Sequence, residues 1–247
     1  MIDKRVICMG VTPASDCAAS CLRSEGWEVS SKPDRSVPHL LLDVPSFGPG
    51  RLEHPDSLLS VLPKETVIYG GNLRLPSAED FRVVDFLKDE FYLAENAAIT
   101  ADCALQVAAP HLSCTFSNLP VLVIGWGRIG KCLGNRLKAM GANVTISARK
   151  VTDLAMLGAL GYRFLHTHYL GETLPQYRLV FNTVPECVLD EGLSAFLKNC
   201  VKIDLASEKG IHGNDVVWAR GLPGIHAPET SGRLIAKTFL RLVKEEA

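Results

Sequence analysis

The chain has 247 residues, 47% of them apolar and 21% charged, with a formal net charge of -1. A chain of that length buries a real core, in one large or two modest domains. Balanced charge excludes wholesale nucleic-acid or anionic-membrane binding, and the longest apolar runs, such as "HLLLDV" and "VLVIG", are too short to span a bilayer.

Taken in chain order, "MIDKR" leads straight into a strand-like "RVICMGV" (5–11) without an apolar leader, so a cytoplasmic location is expected. A helix is predicted from Asp16 to Ser24, with Gly26 placed to end it. "HLLLDV" (39–44) and "TVIYGG" (66–71) read as buried strands, and "PSFGPG" between them as a loop. From Phe91 to Leu112 the chain is alanine-rich and helix-prone, and "SCTFSNLP" then resets it, giving expected domains of 1–112 and 113–247. In the second half strands are predicted at 120–125, 143–148, 162–165, 178–184, 201–205 and 215–219. Helices are predicted at 128–140, 152–160 and 190–198, with a long terminal one from Pro228 carrying an Ile235, Phe239, Leu242 stripe that must pack on something. Such alternation predicts an α/β fold with a mainly parallel sheet.

The 8 cysteines are dispersed. Their one close pair, Cys17 and Cys21, has helical spacing suited to packing. His166-x-His168 has no nearby third ligand, so no metal site is expected.

Gly125-Trp126-Gly127-Arg128-Ile129-Gly130 matches G-x-G-x-x-G, between an apolar strand and an amphipathic helix, the context a dinucleotide site requires. Gly125 permits the tight turn, Gly127 lets a diphosphate approach, and Gly130 lets helix and strand pack closely. The phosphates would lie on free N–H groups at the helix N-terminus, in a turn whose lining includes Trp126, Arg128 and Ile129. At the end of the next strand, where an acid would bind the ribose hydroxyls of NAD, stand Ser147, Ala148, Arg149 and Lys150. A guanidinium accepts a 2′-phosphate in two parallel bonds, so Arg149, with Lys150 and Ser147 beside it, predicts NADP, with NAD as the alternative.

"GWGRIGKCLGNRLKAMGANVTISAR", "FNTVPECVLD", "KIDLASEKG" and "GLPGIHAPETSGRLIA" occur in the order found in the dipicolinate synthase A family, and the second half resembles that family. The resemblance extends more thinly to "VVDFLKDEFYLAENAAIT". It implies two Rossmann-like lobes with a cleft between them, similar in plan to the D-2-hydroxyacid dehydrogenases, the second lobe doubly wound around the glycine-rich site. It further implies NADP-linked oxidation of a dihydrodipicolinate-type ring to dipicolinate, on the lysine-pathway branch used in sporulation. The flavoprotein-like dipicolinate synthase B is the implied partner, beside a small dicarboxylate substrate; a homo-oligomer is expected independently of the resemblance. The departures lie on the substrate side. Met9-Gly10-Val11-Thr12-Pro13 stands where the family has Gly-Gly-Asp-x-Arg, Ile99-Thr100-Ala101-Asp102 where it has Pro-Thr-x-Glu, and Glu208 where an arginine follows Asp-Leu-Ala-Ser. They leave two other readings open: a dehydrogenase of another small carboxylate, and a nucleotide-binding regulatory relative without turnover.

Three segments leave predicted strands at the carboxyl edge, where an open sheet binds its ligand. Asn182, Thr183 and Pro185 are candidates for the nicotinamide ribose or carboxamide, the alternative being a plain turn. Asp204 and Ser207 are candidates beside the nicotinamide, Asp204 reading equally as a buried acid bonded to backbone N–H groups. In "GLPGIHAPET" the backbone can approach a ligand closely, with Pro223 on the cofactor side. His226 there is a side chain suited to proton exchange, or else a structural histidine. Asn96, Thr100 and Asp102 share one face of the linking helix; the resemblance implies that they face the cleft, the alternative being a polar helical surface.

Overall fold

The structure is a computed structural model that describes residues 2–34, 36–48, 51–52, 55–74 and 80–245. It divides into two compact units, Met1–Asn96 with Pro223–Ala247, and Ala97–Leu222. The first division falls inside a continuous helix, α3 (Glu90–Ala108), where the sequence suggested 112/113, and the C-terminal helix returns to the first unit.

The first unit carries strands β1 (Arg5–Met9), β2 (Glu28–Ser30), β3 (His39–Leu42), β4 (Val67–Gly70) and β5 (Val83–Asp85), in the order β2-β1-β3-β4-β5. All four pairings are parallel. Strands β2 and β5 were not expected; each has three residues, too few for an apolar period to register. Helix α1 (Pro13–Ser24) starts earlier than predicted because Thr12 caps it, accepting from the Ser15 N–H, and Pro13 takes the first turn. Gly26, at φ 79°, closes it as expected. In the predicted loop "PSFGPG", Pro49 and Gly50 lie outside the described residues. The short helix α2 (Pro55–Leu59) follows.

Helix α8 (Pro228–Glu245) packs on α1 through a stripe in which Ile235, Phe239 and Val243 are buried and Leu242 half-buried. The Phe239 ring meets Tyr69 and Trp27 edge-on, with centroids 4.8 and 5.0 Å apart. Truncating so enclosed an aromatic ring costs about 3–5 kcal/mol, which is why the chain end belongs to this unit.

The second unit carries β6 (Pro120–Ile124), β7 (Asn143–Ala148), β8 (Arg163–His166), β9 (Leu179–Asn182), β10 (Val201–Asp204) and β11 (Val216–Trp218), all parallel, in the order β11-β10-β9-β6-β7-β8. This is the doubly wound order expected, and it reverses direction between β6 and β9, so the loops after these two strands diverge and leave a crevice. Helices α4 (Arg128–Ala139) and α5 (Val151–Ala159) cross over as predicted. Leu122, Ile124, Val180, Leu189, Leu197 and Ile211 form one core cluster. The helix expected at 190–198 shrinks to α6 (Glu191–Ser194), because the following N–H groups of Phe196, Leu197 and Cys200 turn back to carbonyls three residues earlier. α7 (Leu222–His226) is a single turn. Helix α3 ends at Ala108, before Pro110, which brings no N–H to extend it. Among the described residues, no helix is long and apolar enough to cross a membrane, and no cluster of three or more His, Cys, Asp or Glu is placed to hold a metal.

Candidate functional site

The glycine-rich turn leaves β6 at the switch point, and its three glycines stand for different reasons. Gly125 has φ 106°, and a Cβ there would collide with the hydroxyl of Thr183, which is fixed by donating to the Ile124 carbonyl at 2.9 Å. A Cβ on Gly130 would collide with the carbonyl of Gly125. The fold itself therefore demands both. Gly127 is different: φ is -77°, which any residue adopts, and a Cβ there would meet nothing within 4 Å. It is the N-cap of α4, and no side chain caps that helix. Open space thus lies over the N-cap position, at the positive dipole end of the helix, where a diphosphate site would have its chemistry. Arg128 is exposed and Ile129 half-buried. Trp126 turns its ring edge-on to Tyr162, 5.6 Å between centroids, and so braces the turn.

At the end of β7, Arg149 and Lys150 are exposed. Ser147 departs from the expected arrangement: it is fully buried, its oxygen accepting from the Thr167 hydroxyl at 3.3 Å, and so lies away from the exposed edge where Arg149 stands. The Arg149 guanidinium instead meets a carboxylate, Glu186, at 2.7 Å. Its backbone is held from the other side by His166. The Nδ1 of that ring accepts from the His168 N–H at 3.2 Å, so Nε2 carries the proton and donates to the Arg149 carbonyl at 3.0 Å.

Asn182 and Asp204, read as cofactor contacts, are both fully buried beneath this edge. One Asp204 oxygen accepts from the Asn182 amide and the Ala206 N–H, both at 3.0 Å; the other accepts from Gly210 and Ile211 at 2.7 and 2.8 Å. Asn182 also exchanges two bonds with the Val184 backbone, at 2.9 and 3.0 Å. The pair spends its polar capacity shaping the loops after β9 and β10. Those loops present Thr183, half-buried, and Pro185, exposed. Ser207 is exposed beside Glu208 after β10.

Of the residues assigned to the linking helix, Asn96 lies in the first unit, half-buried; Thr100 and Asp102 lie in the second, Thr100 buried. Asp102 is engaged at both oxygens by Arg136 of α4, Nε to one and Nη2 to the other, the latter at 3.0 Å. That fork ties α3 to α4 and lifts the Arg136 guanidinium above its ordinary range. In the first unit, Pro223 is buried and His226 exposed.

Two residues carry weight that the sequence does not announce. Glu186 lies four positions past a strand end and has the look of a loop charge. Asp43, 2% exposed at the end of β3, accepts from the Val11 N–H at 2.8 Å and from the Thr12 hydroxyl. An acid closing the apolar run "HLLL" is the signal that could have found it. The Met9–Pro13 loop is thus wrapped on an internal carboxylate.

No family model matches the chain. Dipicolinate synthase A of Bacillus subtilis (strain 168) is 32% identical over 161 residues, which cover 61% of this chain and 54% of that protein; the match spans about half the length of that relative. Among solved structures, dipicolinate synthase A from Bacillus halodurans superimposes with a TM-score of 0.87 at 21% identity, covering 98% of each chain. A D-isomer specific 2-hydroxyacid dehydrogenase from Lactobacillus delbrueckii ssp. bulgaricus, solved in its NAD-complexed form, gives 0.59 at 14% identity, covering 98% of this chain and 97% of that one. Over those 161 residues the chain is similar in sequence to dipicolinate synthase A, and its fold is the two-sheet α/β plan shared with the dehydrogenases.

Proposed function

We propose that the chain is an NADP-dependent oxidoreductase of the dipicolinate synthase A kind, oxidising a dihydrodipicolinate-type ring to pyridine-2,6-dicarboxylate on the lysine-pathway branch that serves sporulation. The observation that carries this is Gly127: an unforced glycine over the uncapped start of α4, at the switch point of a doubly wound sheet. The homology to dipicolinate synthase A and the likeness to an NAD-complexed dehydrogenase support the coarser assignment, a nicotinamide-dependent oxidoreductase.

When bound, the cofactor supplies the hydride acceptor. The chain's residues seat, orient and take the proton. The first N–H groups of α4 hold the diphosphate, Arg149 and Lys150 receive the 2′-phosphate, and Thr183 and Pro185 border the nicotinamide end. A ring that aromatises by losing hydride must also lose one proton, and His226 is the acceptor we assign. Ser207, Asn96 and Thr100 are assigned to substrate contact. Asp102 is a positioning residue that acts through Arg136.

The test is the ultraviolet absorbance of pyridine dicarboxylate when NADP and the dihydro precursor are supplied, with and without dipicolinate synthase B, the partner assigned by homology. Product formation supports the proposal; turnover of other small acids alone defeats it. One reading competes on a specific observation. Glu208 is exposed where the family has arginine, and it repels a carboxylate, which favours a different or less charged acid. A panel of hydroxy and keto acids separates the two.

A further inference from the structure

We infer that Glu186 is a specificity-determining residue, the resident anion that a 2′-phosphate must displace from Arg149; the inference rests on the dinucleotide reading above. The geometry is a bridge. Arg149 follows β7 and Glu186 follows β9, and β6, which delivers the glycine-rich turn, lies between those two strands in the sheet. The pair therefore joins the two flanking loops across the carboxyl edge of the strand that feeds the turn, closing at 2.7 Å. Both side chains are more than half exposed, 63% and 58%, so neither is locked by packing and either can exchange its partner.

The consequence follows from charge. A guanidinium already holding a carboxylate offers an incoming phosphate an occupied fork. After displacement, Glu186 remains nearby as a like charge, with little cost to NAD, which has no phosphate at that position. The Arg149 backbone stays where His166 holds it, so what exchanges is the side-chain partner alone. Arg149 selects for NADP and Glu186 moderates that selection.

The experiment is calorimetric titration of the full chain with NADP and with NAD, for wild type, Glu186→Gln, Arg149→Ala and the double variant. Glu186→Gln should tighten NADP about fivefold, the upper range for freeing an exposed pair, and leave NAD within about twofold. Arg149→Ala should weaken NADP roughly tenfold, and in that background the gain from Glu186→Gln should shrink, because no guanidinium remains to be freed. An unchanged NADP-to-NAD ratio in Glu186→Gln, with wild type still binding NADP, overturns the inference and spares the dinucleotide reading. Weaker NAD with NADP unchanged also overturns it, since Glu186 would then be reading ribose hydroxyls. Wild type binding neither nucleotide defeats both.

Discussion

Gly127→Ser separates what the fold needs at the glycine-rich turn from what a ligand needs. At φ -77° and ψ -169° the backbone already has N-cap geometry, and a Cβ there meets nothing within 4 Å. Serine is a better cap than glycine by a few tenths of a kcal/mol, roughly, and replacing glycine at a compatible position lowers the unfolded chain's entropy by about 0.4–1 kcal/mol. The sum is about 1 kcal/mol of stabilisation, or ~2–4 °C in the unfolding midpoint for a chain of this size. The same hydroxyl takes an N–H of α4 that a diphosphate would use, and its Cβ fills the space above the helix. Nucleotide affinity should therefore fall by roughly tenfold or more, the value of one or two charge-assisted bonds. Thermal unfolding and calorimetric titration of the same sample check both halves. A variant that binds NADP or NAD as tightly as wild type would refute the reasoning, because the open space over Gly127 would not be where the phosphates go.

Gly130→Ala should behave in the opposite way: its Cβ collides with the Gly125 carbonyl, so stability should drop by about 1–3 kcal/mol, seen as a lower denaturant midpoint. Asp204→Ala should be worse, since it strands the buried N–H groups of Gly210 and Ile211, at about 1–3 kcal/mol each; circular dichroism melting should show the second unit lost first. Burial pushes the Cys8 and Cys200 thiols up to about 12, so both stay protonated and unreactive at about pH 8, near the ordinary thiol value, while the exposed Cys114 and Cys187 alkylate; mass mapping after iodoacetamide reads the difference.

Long periodic elements were legible in the sequence, and short ones were not. Helix α4 and the start of α8 were read nearly to the residue because each buries a stripe of helical period bounded by a glycine or a proline, and β7 because it is a short, continuously buried run. β2 and β5 escaped because three residues carry no period, and their pairing is set by tertiary neighbours. The division at Asn96/Ala97 was invisible because the sequence of α3 is uniformly helical across it. At the site, glycine spacing pointed to the turn but not to the different reasons for its members, since collision and open space are properties of the packed neighbourhood. Ser147 was misjudged for the same reason. Its place in the sequence beside Arg149 suggested a shared ligand, but Ser147 lies inside β7, in a sheet covered on both faces, whereas Arg149 has already left the strand for solvent.

The charges around the proposed cofactor and substrate segments bear differently on the two ligands. On the cofactor side the features favour an anion: an uncapped helix start, an exposed guanidinium and a neighbouring lysine, opposed by the carboxylate of Glu186. Two of the segments proposed for the substrate carry carboxylates instead, Asp43 beneath the Met9–Pro13 loop in the first unit and Glu208 after β10 in the second. Asp43 already satisfies the Val11 N–H and the Thr12 hydroxyl, so that loop has fewer donors left for a second acid. An exposed carboxylate such as Glu208 repels a fully ionised dicarboxylate in its neighbourhood. Glu208→Arg should therefore lower KM for a dicarboxylate by about three- to tenfold, from converting one repulsion into an exposed attraction, with kcat unchanged. Steady-state kinetics on pyridine-dicarboxylate precursors and on monocarboxylates measures this, and an equal gain for an uncharged substrate would show that residue 208 acts on the fold and not on the substrate's charge.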